Sequence, residues 1–291
     1  MNALTNINGK ILAPEHAKVS VFDRGFLFGD GVYETGRSYD RVFLFLKEHL
    51  TRLRSSASRL GIPVIWSDEE IVSRLSQTAG QFGKDNVYFR IIITRGEIKK
   101  VGLDVMAGDP TLVILVQELS PGLPKLRTEG YSLLTSKVLR NSSLAQDPNI
   151  KSSNYLNSLL ALKEATDRGA MDAVLLNANG QVTEGTTFSV FSVSLAGVLR
   201  TPDLKVGILD SITRRHVLKI AKEFMPVEEG IFDLREFLES KEVFLVSSVR
   251  EICPVNQWDD RKFLAPGPIT LRLQQAYREE IAKSISGQKS Y

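Results

Sequence analysis

Lys151, in Asn149-Ile150-Lys151-Ser152-Ser153-Asn154-Tyr155-Leu156, and Glu184, in Val182-Thr183-Glu184-Gly185-Thr186-Thr187, carry the most legible chemistry in this chain. A primary amine can condense with an aldehyde cofactor. A carboxylate can hold a pyridine nitrogen protonated, so that the ring accepts the charge left when a substrate Cα–H bond breaks. Together they suit pyridoxal phosphate. The lysine, once displaced by substrate, can also shuttle the proton between Cα and the cofactor's C4′, as desolvated lysines do. Each residue alone has an ordinary reading, a surface lysine before a helix and a solvated glutamate in a turn, so the weight rests on the surrounding motif.

A phosphorylated cofactor also needs donors. Leu209-Asp210-Ser211-Ile212-Thr213-Arg214-Arg215 reads as a helix start, where free backbone N–H groups and the macrodipole attract anions and Thr213 adds a hydroxyl. An ordinary helix capped by Asp210 or Ser211 explains the same residues. Ser247-Ser248, after the apolar run Val243 to Val246, offers another hydroxyl at a strand end. Arg52, in Leu46-Lys47-Glu48-His49-Leu50-Thr51-Arg52-Leu53, can close the ring of donors, although arginines at such helix positions are mostly solvated.

These groups are positioned by alternating strand and helix patterns. Strands are expected at Lys10-Leu12, Val32-Tyr39, Val42-Phe45, Val87-Thr94 and Leu112-Gln117. Between them, Leu50, Leu53, Ala57 and Leu60 share one helical face, and Ser67-Asp68-Glu69-Glu70 opens a second helix. Ser120-Pro121-Gly122-Leu123-Pro124 resists both helix and strand and is the best linker. Beyond it a helix from about Asn154 to Arg168, ending at Gly169, shows Leu156, Leu159, Leu160 and Lys163 on one side. Strands follow at Ala173-Leu176, Gln181-Val182, Phe188-Val193 and Val243-Val246, with helices near Ile212-Phe224, Leu234-Glu239 and Thr270-Ser284. The expected fold class is α/β (α+β): a small N-terminal domain over residues 1–119, a linker over 120–130, and a large domain over 131–291 that carries the lysine.

Composition narrows the function classes. With 291 residues, 43% hydrophobic and 24% charged, the chain is long enough for two domains with a substantial core. Its net charge of +3 is spread along the chain rather than gathered in a stripe, which argues against nucleic acid and for small anionic ligands. No run approaches the roughly 18 apolar residues of a membrane helix, and the start lacks a signal-peptide pattern; the expected location is the cytoplasm, away from membranes. A single cysteine, Cys253, permits no internal disulfide. His16, His49 and His216 show no metal-ligand spacing, so no metal is expected. No Gly-x-Ser-x-Gly elbow supports a serine nucleophile.

From about Asn8 to Ala276 the chain resembles the class IV (fold type IV) pyridoxal-phosphate aminotransferases. That family includes branched-chain and D-amino acid aminotransferases, aminodeoxychorismate lyase and R-selective amine transaminases. The resemblance is carried by Asp23-Arg24-Gly25, Phe28-Gly29-Asp30-Gly31-Val32-Tyr33-Glu34, Glu48-His49 with Arg52-Leu53, and Thr94-Arg95-Gly96. It continues through the Lys151 segment, Val182-Thr183-Glu184-Gly185, Ile212-Thr213-Arg214 and Glu251-Ile252-Cys253-Pro254-Val255. It implies pyridoxal 5'-phosphate bonded to Lys151, Glu184 at the pyridine nitrogen and Tyr155 near the phenolic oxygen. It also implies a phosphate cup of Arg52, Ile212, Thr213 and Ser248, and a homodimer with its site between two domains. Ser211 and Ser189 stand where relatives often carry glycine and asparagine.

Substrate signals conflict. Tyr88-Phe89-Arg90 resembles the Tyr-x-Arg of branched-chain enzymes, and Arg37 matches a recurrent arginine in those enzymes and the lyases. The motif around Tyr33 and the four-residue step from Lys151 to Tyr155 look more like the D-amino acid enzymes and lyases. The D-amino acid enzymes place an arginine and a histidine soon after Thr-Arg-Gly, where Lys100 and Gly102 stand here. A lysine keeps the charge but loses the planar fork. Tyr33 and Tyr88 also fit as packed strand aromatics. The resulting expectation is transfer between an aliphatic, branched-chain amino acid and a 2-oxo acid such as 2-oxoglutarate. D-amino acid transamination and release of pyruvate from aminodeoxychorismate are the alternatives, with a cofactor-binding dimer that does not turn over as a further reading.

Overall fold

The computed structural model describes residues 2–103, 108–288 and 290–291. Its backbone divides into two units, one of residues 1–120, 150–154 and 283–291, the other of 121–149 and 155–282.

In the first unit, β1 (Ala3–Ile7), β2 (Lys10–Leu12), β3 (Gly31–Tyr39), β4 (Val42–Phe43), β5 (Val87–Thr94) and β6 (Thr111–Glu118) form one antiparallel sheet in the order β2-β1-β6-β5-β3-β4. β5 alternates buried and half-buried residues along its whole length, as a strand with one covered face must. Its Val87, Phe89, Ile91 and Ile93 pack with Leu50, Leu53 and Ala57 of α2 (Leu46–Leu60) and Ile71, Leu75 and Ala79 of α3 (Asp68–Phe82). Ser67 caps α3 by accepting the Glu70 N–H, and three acidic residues in the first turn suit the helix dipole. Gly36 is required by contact: a Cβ there would sit 2.4 Å from the Phe89 ring.

The short helix α1 (Arg24–Phe28) brings in two segments of the sequence motif. Asp30 accepts from Arg24 Nε at 2.7 Å and Arg95 Nε at 2.8 Å, and Arg95 also donates to the Leu60 and Gly61 carbonyls at the end of α2. Burial pushes the Asp30 carboxyl up, but the two guanidiniums prevail and hold it below the usual range. Asp23-Arg24-Gly25 and Thr94-Arg95-Gly96 therefore fasten a helix end to the sheet.

The second unit contains a nine-stranded mixed sheet in the order β12-β11-β10-β13-β14-β7-β8-β9, with β15 (Arg261–Lys262) beside β14. Its other strands are β7 (Tyr131–Thr135), β8 (Asp172–Leu176), β9 (Val182–Gly185), β10 (Ser189–Val193), β11 (Leu199–Pro202), β12 (Val227–Gly230), β13 (Glu242–Ser247) and β14 (Glu251–Trp258). One face buries Val174, Val182, Val190, Leu245 and Trp258 with Phe237 from the helix Leu234–Leu238. The helix Leu156–Asp167 lies on the other face.

Two expectations need correction. The linker assigned to residues 120–130 contains a helix, Leu123–Glu129, because Pro124 falls in the first turn where its missing N–H costs nothing. The lysine does not belong with the C-terminal residues: Ile150–Asn154 hydrogen-bonds to β3 and joins the first unit. Leu156, Leu159 and Leu160 do share one side of helix Leu156–Asp167, and that side points outward in this single chain. Ser158, Ala161 and Ala165 face the sheet, where small side chains allow close approach, and Leu156, Leu159 and Leu160 are exposed.

Candidate active site

The lysine is held first by its backbone. Tyr33 N–H donates to the Lys151 carbonyl at 3.0 Å, Ser153 N–H to the Gly31 carbonyl at 2.9 Å, and Lys151 N–H to Ser56 Oγ at 3.1 Å. With the main chain fixed, Lys151 Nζ donates to the Tyr33 hydroxyl at 2.8 Å. The Arg90 guanidinium lies 4.1 Å over the Tyr33 ring, an attractive cation–π geometry.

Strand register explains this grouping. Arg37 pairs with Tyr88 and Thr35 with Arg90, so Tyr33, Arg37, Tyr88 and Arg90 share the sheet face opposite the Phe89 and Ile91 core. Burial pushes the Tyr88 phenol up, opposed in part by its hydrogen bond to Arg90, so Tyr88 stays a neutral donor at physiological pH. Arg37 stacks 4.1 Å over Tyr39. An amine, two phenols and two guanidiniums on one face can bind a carboxylate and move a proton. Lys100, also expected at the substrate, lies exposed in the segment after β5.

On the helix side of the same sheet, Arg52 meets an acid. Its Nε donates to Glu34 Oε1 at 2.6 Å and its Nη2 to Oε2 at 2.8 Å, while His49 Nδ1 lies 2.6 Å from Oε2. Burial pushes Glu34 up, but Arg52 and His49 more than offset it and bring the carboxyl from an ordinary 4.5 down to about 2. A depressed folded-state pKa stabilises the fold above the unfolded value and loses that contribution as pH falls. We expect about 3 kcal/mol of stability to disappear between roughly pH 4.5 and 2, read from urea unfolding across that range. An unchanged slope in Glu34→Gln would show that this carboxylate is not the source.

In the second unit, Glu184 is buried at the end of β9. Arg140 Nη2 donates to its Oε1 at 2.5 Å and Leu209 N–H to its Oε2 at 3.2 Å. Both oxygens are anchored. Helix Ile212–Ala221 starts after Ser211, whose hydroxyl accepts the Arg214 N–H, so the residue that departs from the usual glycine supplies a cap. Ile212 and Thr213 are buried in the first turn, and Thr213 Oγ1 has no hydrogen-bond partner among the described residues. A buried hydroxyl in a first helical turn, where backbone N–H groups lack partners within the helix, suits an anion that would satisfy it. Ser189 Oγ is likewise buried without a partner among the described residues. Tyr155 is half-buried at the start of helix Leu156–Asp167, and Ser248 is half-buried in the turn after β13.

Sequence reasoning missed Arg140 and Leu209, which hold Glu184, and gave Glu34 no role. Arg140 lies 44 residues from Glu184 and carries no local signal. Glu34 does carry one, since it breaks the inward-facing Val32, Glu34, Gly36 series.

The profile of the family described as "Amino-transferase class IV" matches residues 31–258. The chain belongs to the class IV aminotransferases. A "Putative branched-chain-amino-acid aminotransferase" of Methanocaldococcus jannaschii is 38% identical over 277 residues, 94% of each chain. A D-alanine aminotransferase of Listeria monocytogenes is 33% identical, covering 96% of each. Among solved structures, the branched-chain aminotransferase of Thermobaculum terrenum in its pyridoxal-phosphate form superposes with a TM-score of 0.86. That protein is 30% identical, with 97% of this chain and 94% of that one covered. This class IV fold is thus a fold type IV enzyme, and pyridoxal phosphate is the cofactor of its family. No helix among the described residues is long and apolar enough to cross a membrane.

Cys253 takes no part in this chemistry. Burial pushes its thiol up to about 12, with Arg127 and Arg250 only partly opposing, and a thiol so raised is inert. We expect iodoacetamide at about pH 8 to leave the native enzyme unmodified and to label Cys253 after unfolding, measured by mass. Rapid labelling of the native protein would contradict the burial.

Proposed function

We infer that this class IV enzyme transfers the amino group of an aliphatic, branched-chain amino acid to a 2-oxo acid such as 2-oxoglutarate. The observation that carries the reading is the strand register that sets Arg37, Tyr88 and Arg90 on the one sheet face that bears the Lys151 amine. Pyridoxal phosphate supplies an aldehyde for the amine and a ring that accepts the charge of Cα–H cleavage. Lys151 would hold the aldehyde through Nζ and, as a free amine, would move the proton at the substrate Cα. Glu184, its two oxygens tied by Arg140 and Leu209, would hold a proton on the pyridine nitrogen. Arg52, Ile212, Thr213 and Ser248 hold the phosphate, and the unpartnered Thr213 Oγ1 fits that role. Tyr155 is assigned to the phenolic oxygen. Tyr88, Arg90, Arg37 and Tyr33 orient the substrate carboxylate, with Lys100 as an outer charge.

The Methanocaldococcus relative supports the branched-chain substrate. Tyr33 beside the amine favours the D-amino acid alternative. A panel of L- and D-amino acids, followed by cofactor absorbance, separates them. L-leucine, L-isoleucine and L-valine should discharge the aldehyde form, and 2-oxoglutarate should restore it. Discharge by D-alanine or D-glutamate alone would sink the branched-chain assignment, and pyruvate release from aminodeoxychorismate without an oxo acid would assign the lyase.

A cytoplasmic homodimer completes the reading. The exposed leucines at 156, 159 and 160 suit an apolar contact between copies. A species of 32.4 kDa at sedimentation equilibrium would exclude the dimer.

A further inference from the structure

Glu34 is fully buried on the helix-facing side of β3, away from the Tyr33 and Arg90 face. A buried carboxylate is costly unless charges and donors compensate it. Compensation comes from α2, where His49 and Arg52 stand three residues apart and reach Glu34 together. The ionised carboxylate only accepts, so His49 Nδ1 donates, and it stops the group from swinging away from Arg52.

We propose that Glu34 is a positioning residue whose two-point grip fixes the plane of the Arg52 guanidinium, so that the arginine meets a phosphate with its geometry already set. This rests on the reading of Arg52 as a phosphate ligand. An arginine has many rotamers, and an unheld one must give up that freedom each time an anion binds. Glu34 removes it beforehand by engaging Nε and Nη2 in a planar fork. Glu34 also cancels part of the Arg52 charge, which by itself weakens anion attraction. The two effects oppose each other, and a variant that keeps the charge but shortens the reach separates them.

The test uses the full chain stripped of cofactor, with dissociation constants for pyridoxal phosphate and for pyridoxal. Their ratio isolates the phosphate. Glu34→Asp should lower the phosphate advantage by about tenfold or more and leave pyridoxal binding within about twofold. Equal weakening of both ligands would mean a merely structural role and overturn the proposal. Arg52→Met serves as the reference. If it lowers the phosphate advantage and Glu34→Asp does not, the positioning role is wrong while the Arg52 reading stands. If Arg52→Met changes nothing, Arg52 is no phosphate ligand and the proposal falls with it. Should Glu34→Asp fail to fold, nitrogen NMR of the stripped wild-type protein decides. A slowly exchanging Arg52 Nε–H with hindered rotation before phosphate is added is expected, and a freely rotating guanidinium overturns the proposal.

Discussion

Replacing Lys151 with alanine should abolish transamination, lowering kcat by at least about 10⁴-fold, because covalent attachment and a positioned proton carrier are lost together. The fold should survive. The bonds that place residues 150–154 run through the backbone to β3 and Ser56, and alanine leaves all of them in place. The side chain removed is half-buried and donates to the Tyr33 hydroxyl. Circular dichroism and thermal unfolding check the fold, and single-turnover absorbance with the amino donor checks the chemistry. Borohydride reduction of the holoenzyme should add the cofactor's mass to the peptide containing Lys151. Wild-type turnover in Lys151→Ala, or a tag on another lysine, would remove the residue from its role.

Glu184→Gln should lower kcat by roughly 10²- to 10³-fold while pyridoxal phosphate stays bound, since the charge that holds a proton on the pyridine nitrogen is gone and the phosphate donors remain. Glutamine keeps the shape and still accepts at Oε1, but leaves Arg140 beside a neutral amide. Because Arg140 is mostly buried, some loss of stability accompanies the catalytic loss. The cofactor absorbance of the purified variant and its melting temperature separate the two. A variant with normal kcat and a normal pH profile would leave Glu184 as a structural anchor for Arg140 and the Leu209 loop.

Elements with a strong local signature were legible from residue order. The apolar alternation Val87 to Thr94 gave β5 to the residue, and Ser67 with its acidic followers gave the start of α3. The fold type IV resemblance followed from ordered motifs, and the family match agrees. Less legible were Arg24–Phe28 and the strands β11, β12 and β14, which are short or depend on neighbours for their hydrogen bonds. Some motif residues proved structural, such as Asp30 with Arg24 and Arg95, because a recurrent sequence marks a need without saying whether it is chemical or architectural.

By itself the sequence determined the periodicities, the caps and the lysine proposed as the reactive amine, all properties of residues near one another in the chain. Tertiary structure alone decided which groups meet. It set Tyr33 on Lys151 across 118 residues, Arg140 on Glu184 across 44, and Glu34 on Arg52 across 18. It also turned the leucines of helix Leu156–Asp167 outward and moved the lysine segment onto β3. The physical reason is range. Hydrophobic period and capping act over one or two turns, whereas a charged or phenolic partner is chosen by sheet register and helix packing, which no local pattern encodes.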